Sequence, residues 1–518
     1  MISLKNTLST WLLFITTLLA AQGSISQVYS FGTQAYFYDA VYADQQEQVM
    51  AGGGILHPDS FLIGAVLARL DTAGILVDTS LYFDPDGHHL SFKQAYPMHQ
   101  NTDNRVMMMG DYLGKQANII LLWNADGTLH DIWDLPYAPD TQNNFIHAIV
   151  ELPSGYLLAQ SRQSGFIART VITKLDHTGT VVWERTFGPS NKFQVPNCLI
   201  RTGSNSFVIG GYRAGIEMPG TNVDVSCEHN LLIGIDSMGN QLWEWRNPDC
   251  NISSLYGLQQ AANGDYIYIT HEPLVYNLSN IGRAPKVVRR DSAFNLVWER
   301  RLADSYTVGY NSNAFYTMRL LPDGDLLTAG HLILPEPYSS FLSTEDGYYT
   351  GCFYRLRANG DSLYRTTIRT PEAYRPTSKV DLGGLVALPS GAHIGVGKFS
   401  DPFTGGYGTI AWFLKIDANG CFEADCQLVN ATPEPSATAP VRVFPNPTDG
   451  ETIFSFERPS TGTLRLFSST GRLVATHKLV NARSWTTDLS HLSKGVYHYA
   501  FTDQYSGVVL SGRVVLQR

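Results

Sequence analysis

The stretch Phe145–Phe187, FIHAIVELPSGYLLAQSRQSGFIARTVITKLDHTGTVVWERTF, decides the fold of this chain. It contains four short runs of apolar and β-branched residues, and none of them has the period of a helix. Turn-forming residues separate the runs, first Pro153–Gly155 and later Asp176–Gly179. The stretch therefore predicts four antiparallel strands joined by tight turns.

Copies of this four-strand unit fill most of the chain. The D-x-x-G-like turn recurs seven times, at Asp71–Gly74, Asn124–Gly127, Asp176–Gly179, Asp236–Gly239, Asp291–Asn295, Arg357–Gly360 and Asp417–Gly420. The copies predict units at 33–84, 85–140, 141–188, 189–247, 248–302, 303–371 and 372–426. Four strands per unit of this length are typical of propeller blades. The fold class predicted is all-β, with a seven-bladed β-propeller over residues 27–426.

The last unit ends after its turn, at Cys421–Cys426, without a fourth strand. The segment QVYSFG, Gln27–Gly32, can be aligned with VWERTFG, Val182–Gly188. We expect this N-terminal segment to complete the last blade, because the added strand closes the ring and removes an exposed sheet edge.

The composition excludes some classes of function. The chain has 518 residues, of which 44% are hydrophobic and 16% charged, with a formal net charge of −9. The apolar content is too high for a disordered chain. No long basic run is present, so the sequence does not predict a nucleic-acid partner or binding to an anionic membrane surface.

Residues 1–26 predict a cleaved signal peptide. Lys5 precedes an apolar run, Trp11–Ala21, and small residues follow it. A membrane anchor is the alternative, but the run is short for a bilayer and no second span follows. We expect cleavage between Ala21 and Gln27, and favour the bond after Ser26.

The C-terminal end has a different character. Residues 427–440 include VNATPEPSATAP and predict an extended linker. Residues 441–518 show strand-like alternation in Thr452–Phe456, Thr463–Phe467 and Val496–Phe501. This pattern predicts a small immunoglobulin-like antiparallel β-sandwich.

Three motifs in this region resemble the C-terminal sorting domain of the type IX secretion system of Bacteroidetes-type bacteria. They are Phe444–Gly450, Ser469–Val474 and Leu492–Phe501. The matching residues include Pro445, Asn446, Pro447, Gly450, Gly471, Gly495 and Tyr497. The resemblance implies a passenger carried through the periplasm and across the outer membrane, then secreted or held at the cell surface. It also implies that 441–518 meets the secretion machinery. A carbohydrate-binding sandwich is the alternative.

A D-x-x-G-x-x-x-W spacing links Asp176 to Trp183 and Asp236 to Trp243, and a copy without Gly links Asp291 to Trp298. It resembles the docking motif of quinoprotein propellers, which implies a quinone cofactor. The units also resemble delta-60 and related repeats of secreted bacterial proteins, which imply no activity. Because four units lack the motif, we favour Trp as packing between blades and predict no cofactor.

The first strand of each blade is expected to line the central channel. Four residues before the turn Gly stand Asn101, Glu151, Thr202, Gln260, Leu320 and Ala387, a mixture that predicts no catalytic or metal ring. The loop DPDGHH places Asp84 and Asp86 beside His88 and His89, which suggests either a metal site or, as we favour, a solvated turn. No catalytic or metal-binding residue is predicted.

The cysteines are compatible with an oxidising compartment. Cys421 and Cys426 bracket four residues and are the one disulfide we predict. Cys227 and Cys250 are possible partners, Cys198 competes with them, and Cys352 has no evident mate.

The preferred function is binding of a glycan or protein through variable loops. The longest predicted loops are Arg213–His229, His271–Lys286 and Leu332–Tyr349. No catalytic motif such as G-x-S-x-G or H-E-x-x-H occurs. The alternative is an extracellular hydrolase or lyase that acts on a polymer with residues from several blades.

Overall fold

The computed structural model of the chain describes residues 25–29, 31, 34–43, 46–92, 98–139, 141–165, 167–190, 192–214, 228–248, 254–277, 280–302, 314–335, 347–369, 380–401, 408–422, 441–468, 472–503 and 509–517. The chain separates into two compact units, one up to residue 428 and one from residue 429. The regular elements of the described ranges are strands, and no helix there has the length and apolarity to cross a membrane.

The larger unit begins with β1, Ile25–Tyr29. The next two sheets contain β2 Ala35–Ala43, β3 Gln48–Leu56, β4 Ile63–Asp71 and β5 Leu76–Tyr82, then β6 His89–Ser91, β7 His99–Gln100, β8 Val106–Leu113, β9 Ala117–Trp123 and β10 Leu129–Pro136. In the second of them the expected first strand is divided into the short β6 and β7, both of which pair with β8.

Four further sheets of four strands follow. They are β11 Asn143–Leu152, β12 Gly155–Ser164, β13 Ile167–Leu175 and β14 Val181–Phe187; β15 Phe193–Arg201, β16 Ser206–Ala214, β17 Glu228–Asp236 and β18 Gln241–Arg246; β19 Leu255–Gln260, β20 Tyr266–Asn277, β21 Asn280–Arg290 and β22 Leu296–Arg301; and β23 Ala314–Leu320, β24 Leu326–Pro335, β25 Gly347–Leu356 and β26 Ser362–Arg369. Each is an antiparallel meander in chain order, as the repeat predicts for a β-propeller.

The last sheet of this unit joins the two ends of the repeat. Its strands are β27 Val380–Ala387, β28 His393–Asp401 and β29 Gly408–Ile416, and β1 pairs antiparallel with β29 from Ile25↔Lys415 to Tyr29↔Ala411. The predicted completion of the last unit by the N-terminal segment is confirmed. The strand starts at Ile25, two residues earlier than predicted, and Trp412 Nε1 donates a hydrogen bond to Ser26 Oγ at 3.0 Å.

Neighbouring sheets pack through the turn that precedes each fourth strand. Asp176 Oδ1 accepts hydrogen bonds from the amides of Thr178 and Thr180, so this carboxylate organises its own turn. Gly239 has a φ of +77°, and a Cβ placed there would lie 2.7 Å from the Trp183 ring of the preceding sheet. The D-x-x-G turn and its Trp therefore serve packing between sheets, the interpretation that the sequence favours.

The same contact recurs with variations. Trp298 lies over Gly360 of the next sheet and donates from Nε1 to the Ala358 carbonyl at 3.2 Å. In the degenerate turn, Phe294 replaces the glycine at a φ of +67°, and its ring lies 5.1 Å from that of Trp243. The aromatic residue of one sheet thus packs on the turn of the next, whether that turn carries Gly or Phe.

The smaller unit contains β30 Arg442–Phe444, β31 Glu451–Ser468, β32 Leu473–Asp488, β33 Gly495–Asp503 and β34 Val509–Leu516. All five strands belong to one hydrogen-bonded sheet, in which β31 pairs with β30, β32 and β33. A parallel bridge between Thr448 and Leu516 brings its two ends together. The predicted immunoglobulin-like sandwich is not confirmed; the unit is a single, nearly closed sheet around Phe454, Leu464 and other buried apolar residues.

Candidate ligand site in the central channel

A cavity of about 340 Å³ lies where the first strands of the described sheets of the larger unit meet. Its wall combines backbone and apolar groups with polar side chains from several sheets. The polar and aromatic members are Asp39, His99, His147, Asn197, Tyr256, Gln259, Tyr316 and Arg319. A volume of this size falls in the range of small-ligand sites in proteins.

Irregular strand pairing places three of these side chains. The register shifts between Ile146 and Ala148 of β11, and equivalent shifts occur in β15 and β23. The extra residues at these bulges are His147, Asn197 and Tyr316, all of which line the cavity. A β-bulge redirects a side chain, and here the bulges line the channel with polar and aromatic groups.

The channel-lining positions predicted from sequence were wrong. Asn101, Glu151, Thr202, Gln260, Leu320 and Ala387 are all absent from the cavity wall. The lining residues stand up to five positions earlier, since His147 precedes Glu151 by four and Asn197 precedes Thr202 by five. Alternation within one strand does not reveal a bulge, because a bulge is defined by the pairing of two strands.

Several polar lining residues also bind the next sheet. Asn197 Nδ2 donates to the Leu255 carbonyl at 3.0 Å, and Gln259 Nε2 donates to the Met318 carbonyl at 3.2 Å. Arg319 Nε donates to the Leu385 carbonyl at 3.3 Å. These bonds fix the side chains at the cavity wall and connect consecutive sheets.

Asp39 is the buried acid of the cavity. Its two carboxylate oxygens accept hydrogen bonds from the amides of Ala40 at 2.8 Å and Met98 at 2.7 Å. Burial raises the pKa of Asp39 to about 6, and the Arg319 charge and these two amides act in the opposite direction. Asp39 therefore changes protonation within the ordinary working range of proteins.

Two histidines lie on the same wall. His99 Nε2 is 4.0 Å from Glu151 Oε2, and burial lowers the pKa of His99. His147 Nε2 lies 2.7 Å from Ser161 Oγ of the neighbouring strand β12. The cavity thus combines an acid, imidazoles and a guanidinium, a set that the sequence alone did not bring together.

An aromatic pair from adjacent sheets forms another part of the wall. The rings of Tyr256 and Tyr316 are 5.0 Å apart in an edge-to-face arrangement. His271 supports both rings from the second strand of its sheet, at 5.6 Å from Tyr256 and 5.7 Å from Tyr316. This support fixes the orientation of the pair.

The DPDGHH loop forms a turn, as favoured from sequence, but Asp84 in this turn is buried and not solvated. The Gly87 amide donates to the Asp84 carbonyl, and the His88 amide donates to the Asp84 carboxylate at 3.0 Å. His89 Nδ1 accepts from the Ile63 amide at 3.2 Å, while Asp86 is exposed. Each group except Asp86 thus has a structural partner, and no cluster of three metal-ligand side chains occurs in the described ranges.

Cys198 and Cys352 are free thiols, so the competing pairing of Cys198 is not observed. Cys198 lines the cavity, and burial raises the pKa of its thiol to about 11. Cys227, Cys250 and Cys426 lie outside the described residues. The pairing of Cys421 with Cys426 stays a prediction.

In the smaller unit, the predicted sorting residue Asn446 binds the final strand. Asn446 Nδ2 donates to the Arg513 carbonyl at 2.9 Å, and its Oδ1 accepts from the Val515 amide at 2.9 Å. The Tyr497 hydroxyl donates to the Ser493 carbonyl at 2.7 Å. Pro445 and Pro447 flank Asn446, Gly450 accepts from the Leu489 amide, Gly495 opens β33, and Gly471 lies outside the described residues.

The three predicted loops connect second and third strands. Most of the predicted loop His271–Lys286 is instead a paired hairpin, because β20 and β21 pair from His271↔Pro285 to Asn277↔Asn280, with one register shift between Val275 and Asn277. Parts of Arg213–His229 and Leu332–Tyr349 likewise belong to β16, β17, β24 and β25. The remaining residues of those two loops lie outside the described ranges.

Residues 442–516 match the family model described as the secretion system C-terminal sorting domain. The resemblance stated from the motifs is therefore confirmed, and the protein is exported by type IX secretion to the cell surface or extracellular space. It is a secreted β-propeller protein. A search of curated proteins found no match.

Solved propeller structures are among the neighbours. The β-propeller domain of the Trilobed protease from Pyrococcus furiosus is 10% identical, with a TM-score of 0.40 and coverage of 74% of this chain and 94% of that chain. A member of the DUF4221 family from Bacteroides vulgatus is 10% identical, with a TM-score of 0.36 and coverage of 64% and 94%. The N-terminal domain of Nup159 is 6% identical, with a TM-score of 0.40 and coverage of 76% and 94%.

Proposed function

We propose that this protein is a seven-bladed propeller that binds a glycan in its central channel after export. The observation that carries the proposal is the Tyr256–Tyr316 pair, which lies in a cavity of about 340 Å³ beside polar groups of several sheets. A sugar ring offers an apolar C–H face and a rim of hydroxyls, so aromatic rings beside hydrogen-bonding groups suit it.

We propose that a ligand reaches the cavity from the face of the propeller at which the first strand of each sheet begins. The connections from Ala214 to Glu228 and from Pro335 to Gly347 leave from this face, while the opposite face carries tight turns. Long connections on a rigid scaffold are where proteins usually build recognition surfaces. We propose that the glycan, or a protein that carries it, enters the channel from this face.

Replacement of the aromatic pair tests this function. We expect Tyr256→Ala and Tyr316→Ala each to weaken glycan binding more than tenfold, about 1.4 kcal/mol, because each removes stacking area from the wall. Binding is measured by glycan array followed by calorimetry on the propeller secreted with its native sorting unit. Phe61→Ala is the matched control, since Phe61 is an exposed aromatic outside the cavity wall. Unchanged affinity in both tyrosine variants would overturn the proposal.

A second candidate, a polymer-degrading hydrolase or lyase, is favoured by one observation. Asp39, with its pKa raised to about 6, shares the cavity with His147 and Arg319, and such a set can transfer protons. New reducing ends or unsaturated products from polysaccharides would reveal the activity. We expect Asp39→Asn and His147→Gln to abolish it; activity retained in both variants would remove the channel from the reaction.

A further inference from the structure

Arg319 is the one lysine or arginine among the described residues of the cavity wall. It lies on β23, three residues after Tyr316, and its side chain is exposed. Its Nε is bound to the Leu385 carbonyl of the next sheet, at 3.3 Å, which restricts the plane of the guanidinium. A positive charge is therefore held in place within the proposed glycan site.

The ion pairs among described residues do not include Arg319. The nearby acid is Asp39, whose charge interacts with that of Arg319. Each Asp39 oxygen accepts one backbone amide, from Ala40 and from Met98, and the ion pairs of the described residues do not join Asp39 to Arg319. Among the described residues Arg319 donates from Nε, which leaves its two terminal guanidinium nitrogens available to a ligand.

We propose that the glycan is acidic and that a carboxylate of one of its sugars pairs with Arg319 while a neighbouring ring packs on Tyr316. This inference rests on the proposed function and names its ligand class, a uronic-acid-containing oligosaccharide. A carboxylate suits the site because its two oxygens match the planar fork of a guanidinium.

The net charge of the protein bears on how the site recognises an anionic ligand. With a formal net charge of −9, the protein as a whole does not attract anions. Recognition of a carboxylate must therefore come from a fixed partner at short range. Arg319 supplies that partner beside an aromatic surface, where partial exclusion of water strengthens the interaction.

The test compares an oligogalacturonate with its methyl ester, which has the same length and sugar rings but no charge. We expect the protein to bind the free acid at least tenfold more tightly than the ester, and added salt to reduce the difference. In Arg319→Gln this preference should vanish while binding of the ester persists. Arg319→Lys should retain only part of it, because an ammonium lacks the fork. Thermal unfolding of each variant checks its fold.

The outcomes separate the two proposals. Equal affinity for acid and ester, or a preference retained in Arg319→Gln, would overturn the acidic-glycan inference while glycan binding stands. A sulfated oligosaccharide that lacks carboxylates and binds as tightly as the oligogalacturonate would also overturn it, because the site would then recognise negative charge and not a carboxylate. Absence of any glycan binding by the unaltered protein would overturn both proposals.

Discussion

At the scale of single residues, one close contact between sheets depends on the absence of a side chain at Gly239. Gly239 has a positive φ and lies directly beneath the ring of Trp183. We expect Gly239→Ala to lower the free energy of unfolding by about 2–4 kcal/mol, because backbone strain and overlap with the ring both contribute.

The loop glycine Gly87 is the matched control. Its φ is +80°, and nothing lies within 4 Å of a Cβ placed on it, so Gly87→Ala carries the backbone strain alone. Denaturant unfolding of the two variants gives the packing contribution by difference. Equal losses in both would show that contact with Trp183 does not matter.

A second prediction concerns His393, which is 2% exposed and stacks on Tyr364 at 6.4 Å. Burial lowers the pKa of His393 to about 4, and Arg355 acts in the same direction while Asp417 and Asp323 oppose it. The unfolded chain takes up this proton near pH 6.5, so stability is lost as the pH falls from 6.5 through 4, by up to about 3 kcal/mol.

His393→Phe keeps a ring at this position and removes the titration. We expect the variant to lose less stability than the unaltered protein between pH 7 and pH 4.5, measured by denaturant unfolding at each pH. Asp39 acts with the opposite sign, because its raised pKa favours the folded state as the pH falls from above 6 towards 4. Only the difference between variant and parent is therefore diagnostic, and identical pH profiles would refute the assignment.

At the scale of elements, β1 constrains where the chain is processed. Ile25 and Ser26 are paired with Lys415 and Leu414, so cleavage after Ser26 would remove part of the strand. We propose that the signal peptide is cut before Ile25, and the small residues Ala21 and Gly23 suit a cut after Gly23. Mass spectrometry of the secreted protein should find an N-terminus at or before Ile25; one at Gln27 would contradict this.

Asn446 gives a prediction for the sorting unit. Its side chain both donates to and accepts from the backbone of β34, so Asn446→Ala removes two hydrogen bonds. We expect a loss of about 1–3 kcal/mol in the stability of this unit and less secreted protein, measured by cell fractionation. Val480→Ala, at an exposed site on β32, is the control, and normal secretion of both variants would refute a role for this contact.

The elements show where reasoning from sequence succeeds. Turn signals such as Asp176–Gly179 place strand ends correctly, because a positive φ strongly selects Gly. The hairpin of β20 and β21 was missed because Pro273, Pro285 and Asn277 suggest a loop. Pro is tolerated at strand edges, and composition does not distinguish such a ribbon from a loop. The bulge residues were missed for the same kind of reason, since pairing creates them.

At the scale of the whole molecule, the sequence predicts the order of the repeats in the larger unit. It does not predict the sheet structure of the smaller, C-terminal unit. The repeat predicts a four-strand period, and most sheets of the described residues in the larger unit have four strands in chain order. In the smaller unit, the prediction placed separate strands at Thr452–Phe456 and Thr463–Phe467, whereas β31 runs through both. Alternation gives each strand two faces, but it does not tell whether a bent strand serves one sheet or two.

Export of the passenger depends on the sorting domain at the C-terminal end of the chain. We expect deletion of 441–518 to leave the passenger in the periplasm, because the sorting domain is then missing. Cell fractionation and limited proteolysis check location and folding together. Normal secretion of the truncated chain would refute export through this domain.

The bond between Ser26 and Trp412 spans 386 positions of the chain. During synthesis the N-terminal segment emerges first, and its partner strand emerges only after nearly the whole passenger has been made. The other sheets of the larger unit form from neighbouring segments, but the sheet of β1 and β27–β29 requires the most distant strand pairing among the described residues, and such long-range pairing is intrinsically slow. We therefore expect closure of the ring to be a late folding step, with an unpaired edge on β29 until that step is complete.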